Sequence, residues 1–166
     1  MGGIYMNTLS NHVYDAFARS WALVTAGEMG HFNTMTVSWG GVGCLWNRPV
    51  ATVYVRPSRY TYEYMEANEY FTVSFFPEVQ RNALKILGTL SGRDSDKVAQ
   101  SGLTAMPCGE STAFREAELT LLCRKIYRQD MDPARVPAEV RERFYGAGET
   151  FHRIYIGEII SVQGES

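Results

Sequence analysis

Four segments of seven residues each, 20–26 ("SWALVTA"), 33–39 ("NTMTVSW"), 49–55 ("PVATVYV") and 70–76 ("YFTVSFF"), recur along the first half of this chain. Each is apolar or strictly alternating, and each meets a glycine or proline within two residues of its end. Runs this short suit strands rather than helices. Between them only 59–68, "RYTYEYMEAN", reads as helical, with Tyr62, Met65 and Glu66 at helical spacing. Gly40, Gly41 and Gly43 read as a break between two strands.

The second half adds two strand patterns, 116–128 and 151–162. Val79, Ala83, Ile86, Leu87 and Leu90 predict an amphipathic helix after Pro77 that stops near Gly88 or Ser91. Residues 94–100 and 137–145 predict two shorter helices. Six or so strands, with few helices and no strand-by-strand alternation, predict a mainly β fold, a β-barrel with peripheral helices, over a doubly wound sheet.

At 166 residues and 45% hydrophobic, the chain suits a single domain over 1–166. A net charge of −2 with 20% charged residues gives no overall basic field, so no nucleic-acid partner is expected and any anion site must be local. The opening "MGGIYMNTLS" carries neither a secretory nor a myristoylation pattern, and no apolar run is long enough for a membrane helix. No membrane partner and a cytoplasmic location are the expectation. Cys44, Cys108 and Cys123 are odd in number and include no CxxC pair, which argues against a disulfide framework or a zinc site. Cys123 alternates with leucines as a core residue would, and Cys44, with no partner thiol or nearby base, is expected to be a packing residue.

The chemistry concentrates where 49–55 ends, in "VYVRPSRYTYEY". With Ser58 as N-cap, the free N–H groups of the next helix, the Ser58 and Thr61 hydroxyls and the Arg56 and Arg59 guanidiniums converge on what a dianionic phosphate needs. An ordinary serine cap with solvated arginines fits the same spacing. "GGVG" at 40–43 matches neither a dinucleotide fingerprint nor a Walker loop, so a mononucleotide is favoured. Segment 33–39 sets Asn33, Met35, Val37 and Trp39 on one face and Thr34, Thr36 and Ser38 on the other. Such a strand suits a flat heteroaromatic ring with polar edges, and it equally suits a sheet face turned to water.

In order and in register, "NTMTVSWGGVG", "NRPVATVYVRPSRYTYEYM", "YFTVSFF", "GTLSGRDSDK" and "GLT" resemble the FMN-binding split-barrel flavin reductase family, its flavoredoxin-like branch above all. The likeness spans nearly the whole chain and implies a split β-barrel with FMN as cofactor. It implies that Asn33, Thr34, Met35, Thr36, Ser38 and Trp39 lie along the isoalloxazine edge, and that Arg56, Ser58, Arg59 and Thr61 hold the phosphate. Ser91, Arg93 and Lys97, from the "SGRDSDK" turn, approach the phosphate end.

The resemblance further implies a homodimer with the flavin near the subunit interface, where His152, Arg153 and Tyr155 could reach the partner's flavin. It implies reduction by NAD(P)H, with no catalytic side chain required. The Arg-Pro-Ser-Arg run departs from reductases of two-component monooxygenases and points instead to tightly held FMN in an electron carrier between redox proteins. Pyridoxamine-phosphate oxidase-like enzymes, which also bind FMN through arginines on a related barrel, are a third reading.

Overall fold

The computed structural model describes residues 13–164. Their strands are β1 (Ala22–Glu28), β2 (His31–Val37), β3 (Gly40–Leu45), β4 (Arg48–Val55), β5 (Tyr70–Phe75), β6 (Ala105–Cys108), β7 (Ser111–Phe114), β8 (Leu119–Asp130) and β9 (Arg153–Gly164). Short helices separate some of them: α1 (Val13–Ala18), α2 (Tyr60–Ala67), α3 (Arg81–Thr89), α4 (Lys97–Ser101) and α5 (Ala138–Phe144).

Seven strands form one sheet in the order β2-β1-β5-β8-β9-β4-β3, and adjacent strands all pair antiparallel. Laid flat, such a sheet would hold its outer strands about 29 Å apart. Yet the outer strands β2 and β3 are joined by Ser38 and Trp39 alone, a link that spans at most ~11 Å. The sheet must therefore roll until its edges meet at that corner. The result is a split β-barrel carrying helices at its rim.

Alternation then decides what fills it. Val24 and Ala26, Met35 and Val37, Val53 and Val55, Phe71 and Val73, Leu121 and Cys123, and Tyr155 all point into one buried cluster. A second cluster lies outside the barrel, where Ala83, Leu84 and Leu87 of α3 pack on Leu23, Phe76 and Phe114. Each fully buried leucine contributes roughly 1.5–3 kcal/mol. This apolar seam holds α3 beside β2. A different device fastens α2: the Glu66 carboxylate accepts hydrogen bonds from Arg153 (2.7 Å), Arg128 (2.7 Å) and the Tyr155 hydroxyl (2.6 Å).

Several expectations need correction. The glycine run 40–43 is not a break but the first part of edge strand β3, which turns into β4 through Trp46 and Asn47, both left-handed (φ 53° and 57°) as a two-residue hairpin requires. The hairpin β6–β7 carries too little apolar alternation to be read from sequence, and with β3 it brings the strands among the described residues from about six to nine. Val79 is 82% exposed, because residues Glu78–Gln80 form a 3-10 turn that shifts the register before α3 begins at Arg81. The helix expected at 94–100 starts only at Lys97, capped by Asp96. Cys44 is exposed next to the turn of the β3–β4 hairpin, not packed, whereas Cys123 is fully buried as expected. The reading of the first ten residues lies outside the described residues.

Candidate functional site

The strand-to-helix junction after β4 is built differently from the expected serine cap. Arg59 donates its backbone N–H to the Arg56 carbonyl (2.9 Å), closing a turn through Pro57 and Ser58. Arg59, with extended backbone, is the N-cap of α2, and no side chain caps the helix. Ser58 is thus one residue early. The positive end of the α2 dipole consequently opens into a recess of about 180 Å³, bordered by Asn33, Ser58, Arg59 and Thr61 on one side and by Ser91, Gly92 and Lys97 on the other.

Close approach makes this recess. A Cβ on Gly92 would lie 2.3 Å from the Asn33 Oδ1, so only glycine lets the 91–92 turn reach β2. Asn33 in turn donates from Nδ2 to the buried Thr61 hydroxyl (2.8 Å). Lys97 is 97% buried, since only 3% of its surface is exposed, and its Nζ donates to the carbonyls of Leu87 (3.0 Å) and Leu90 (3.3 Å) at the end of α3. Burial, and then the Arg59 charge, push its pKa down to about 8. Arg59 is likewise lowered, first by burial and then by Arg56. Among the described residues its one side-chain hydrogen bond is to the Gly88 carbonyl at 3.4 Å. Among the described residues neither cation is in an ion pair.

Arg59 also borders a second recess of about 180 Å³, whose walls include Met35, Thr36, Trp39, Tyr54, Arg56 and His152. A third hollow, about 270 Å³, continues from Thr36–Ser38 along Leu84, Gly88 and Thr89. Shared walls at Arg59, Thr36 and Thr89 make the three one groove, running between β2 and the end of α3. Its far end is apolar and aromatic: Trp39 meets Phe144 edge-on at 5.1 Å and His152 at 5.2 Å. Burial first, then Arg56 and Arg59, push His152 down to about 4, so the imidazole is neutral at ordinary pH.

The structure therefore sorts the expected residues. Asn33, Ser58, Arg59, Thr61, Ser91 and Lys97 surround the first recess, and Met35, Thr36, Ser38, Trp39 and Arg56 the second. The two arginines share the second recess but not the first: Arg56 pairs with Glu149 (2.8 Å), donates to the Phe144 carbonyl (2.8 Å) and lies 5.0 Å from the Tyr145 ring centre. Thr34 turns away from the groove, its buried hydroxyl bonded to Thr25 (2.8 Å). Arg93 faces outward, paired with Glu63 (3.0 Å) over the Tyr60 ring, on a wider cleft of about 710 Å³. Tyr155 and Arg153 are committed to Glu66 inside their own chain, and His152 lines the chain's own groove. Gly88, Gly92 and Tyr54 escaped the sequence reading. The glycines sit within the quoted motifs, yet only tertiary approach shows their use.

Residues 14–166 match the family model described as the flavin reductase like domain. The chain belongs to that family. Solved structures with the same fold include flavoredoxin from Methanosarcina acetivorans (22% identity, TM-score 0.70, 89% of this chain and 69% of that one). Flavoredoxin of Desulfovibrio vulgaris (Miyazaki F) is similar at 23% identity and TM-score 0.68, over 88% of this chain and 69% of that one. An FMN-binding protein from Thermus thermophilus, with bound 1-cyclohex-2-enone, is 20% identical at TM-score 0.68, over 88% and 70%. At these identities the likeness concerns the fold of this flavin reductase-like chain. No curated protein sequence matches it. Among the described residues no helix is long and apolar enough to cross a membrane, and no cluster of His, Cys, Asp or Glu could hold a metal ion.

Proposed function

We propose that this chain is a flavoprotein that holds FMN in the groove and passes electrons through it, with NAD(P)H as reductant. The observation that carries the reading is the meeting of Arg59 and Lys97 in one recess without a carboxylate. A buried lysine and a half-buried arginine that share one recess need an anion, and a phosphate dianion beside the uncapped start of α2 meets that need. The rest of the groove fits the same group. Glycines at 88 and 92 leave space that a Cβ would fill, and hydroxyl groups of Thr36 and Ser38 stand beside the half-exposed Trp39 ring, as a flat ring with polar edges requires.

Asn33, Ser58, Arg59, Thr61, Ser91 and Lys97 would hold the phosphate, and Met35, Thr36, Ser38 and Trp39 the ring. FMN supplies the electron-accepting ring, which takes a hydride and gives up electrons one or two at a time. The chain's part is to orient and to shield: hydride transfer depends on alignment more than on a protein acid or base. Arg56 tethers the β8–β9 connection over the ring-side recess through Glu149 and the Phe144 carbonyl. A second reading, an electron carrier of the flavoredoxin type that does not itself oxidise NAD(P)H, is favoured by the small ring-side recess, about 180 Å³ where pockets for whole ligands run to 300 Å³ or more.

The chain would work as one domain, in the cytoplasm, and as a homodimer. Trp39 and Trp46, 40% and 62% exposed beside the unpaired edge of β3, support a second copy covering the ring end. The visible absorbance spectrum of the purified protein tests for flavin. NADH and NADPH oxidation with and without added FMN then separates reductase from carrier, and sedimentation over a dilution series tests the dimer. Protein that neither copurifies with FMN nor binds it from solution would defeat the reading.

A further inference from the structure

The connection between β8 and β9 brings a phenol to His152, the one histidine among the described residues that lines the groove. The Tyr145 hydroxyl lies 2.5 Å from the His152 Nδ1. The phenol is held in turn: its ring stacks on Phe151 (centres 4.2 Å apart, 16° between planes) and faces the Arg56 guanidinium at 5.0 Å. Arg56 is anchored to the same connection by Glu149 and the Phe144 carbonyl. His152 cannot turn away easily, since the Trp39 ring packs on it at 5.2 Å. With Nδ1 taken, Nε2 is the nitrogen left for whatever enters the ring-side recess, and among the described residues it has no partner.

Resting on the flavin reading, the geometry points to Tyr145 as a positioning residue that fixes His152 in one neutral tautomer, with its Nε2–H offered to a ligand in the ring-side recess. The direction of the hydrogen bond follows from the acceptors available. The phenol can donate to the His152 Nδ1 or to the Met131 sulfur at 3.6 Å, and an imidazole nitrogen is much the stronger acceptor. Burial raises the Tyr145 pKa, so the phenol keeps its proton to give. A neutral imidazole with Nδ1 accepting must carry its own proton on Nε2.

The surroundings keep the ring neutral. Arg56 and Arg59 face it from the end of β4 and the following turn, Tyr54 from β4 and Tyr145 from the connection, and among the described residues no carboxylate lines the recess. The nearest acid tied to this network, Glu149, is spent on Arg56. The recess thus presents a hydrogen-bond donor to a polar ring edge without adding a third positive charge. A tautomer of opposite sense would present a lone pair there and repel a carbonyl-edged ring.

The test uses the ligand-free protein first. In nitrogen-15 labelled protein, the His152 ring is expected as the neutral Nε2–H form at pH 7, protonating only near pH 4. Tyr145→Phe removes one oxygen and keeps the stacking, and should relax the tautomer ratio by about fivefold, the worth of one hydrogen bond. Adding FMN should then shift the Nε2–H resonance in the parent protein, and less in Tyr145→Phe. A His152 that carries its proton on Nδ1, or a Tyr145→Phe spectrum identical to the parent's, overturns the assignment whether or not FMN binds. FMN that binds without moving the Nε2–H signal also overturns it, while leaving the flavin reading intact. Failure of FMN to bind defeats that reading instead.

Discussion

Lys97 and Arg59 bring two cations to one recess, yet among the described residues the Lys97 ammonium donates only to the Leu87 and Leu90 carbonyls and the Arg59 guanidinium only to that of Gly88. The arrangement is costly until an anion arrives, and that cost is readable as pH dependence. Lys97 has its pKa lowered to about 8 in the free protein, and a bound dianion would raise it again by favouring the charged form. Affinity for FMN should therefore be highest below pH 8 and fall above it, by up to about tenfold per pH unit. Below about pH 6 it should fall as well, as the phosphate becomes a monoanion. Calorimetric titration from pH 5 to 10 should show both limbs for FMN and neither for riboflavin.

The same lowered pKa has a stability consequence of opposite sense. The unfolded chain holds the Lys97 proton to a higher pH than the folded one, so the ligand-free protein gains stability from this group as pH rises from about 8 toward the unfolded value. Lys97→Met should stabilise ligand-free protein at pH 7 by about 1–2 kcal/mol, the charge penalty less the two carbonyl bonds, while weakening FMN. Urea unfolding of both proteins without FMN checks it. A destabilised variant would mean that Lys97 serves chiefly to cap α3.

Gly92→Ala isolates the close approach. The new Cβ would fall 2.3 Å from the Asn33 Oδ1 and 3.1 Å from a Tyr60 ring carbon, so Asn33 must move and its bond to Thr61 must break. Overpacking of this kind costs about 1–3 kcal/mol. FMN affinity should drop with it, and thermal unfolding together with FMN titration measures the two losses.

How much of this was legible beforehand depended on how local the cause was. Strands β1, β2, β4 and β5 could be read because seven-residue alternation is a property of neighbours in sequence. β3 could not, since Gly40, Gly41 and Gly43 form a strand only because β4 pairs with them. Residues of the phosphate recess were nameable from chemistry: arginine, lysine and hydroxyls at a helix start. Their partition was not. That Arg56 turns to Glu149, 93 residues on, and that His152 faces its own groove are consequences of the 131–152 connection folding back, which no spacing reveals.

Glu66 should govern acid stability. Burial pushes its carboxyl up, but hydrogen bonds from Tyr155 and Arg153 outweigh burial and leave the pKa below the usual value. A depressed folded pKa gives stability that is present above the unfolded value, about 4.3, and lost as pH falls through the folded one. Glu66→Gln is expected to cost about 1–2 kcal/mol at pH 7, since the carboxylate is a quarter exposed, and less at pH 3. Urea midpoints at the two pH values compare them directly.

The last expectation separates the two arginines that sequence alone treats as a pair. Arg59 borders the phosphate recess and among the described residues pairs with no carboxylate, so Arg59→Ala should weaken FMN by ~10- to 100-fold, the worth of one charge-assisted contact, and riboflavin much less, through its edge on the ring-side recess. Arg56 lies at the ring end, where it holds the β8–β9 connection through Glu149, the Phe144 carbonyl and the Tyr145 ring. Arg56→Ala should release that connection and weaken FMN and riboflavin alike, because the ring is what both ligands share. Glu149→Gln, which cuts only the ion pair of an exposed carboxylate, should do the same in small measure, about 0.5 kcal/mol or less. Paired calorimetry with the two flavins decides it, since the ratio of losses cancels any general damage to the fold. If Arg56→Ala proved as selective for FMN as Arg59→Ala, both guanidiniums would have to reach the phosphate, and Arg56 would have to leave Glu149 when the ligand enters.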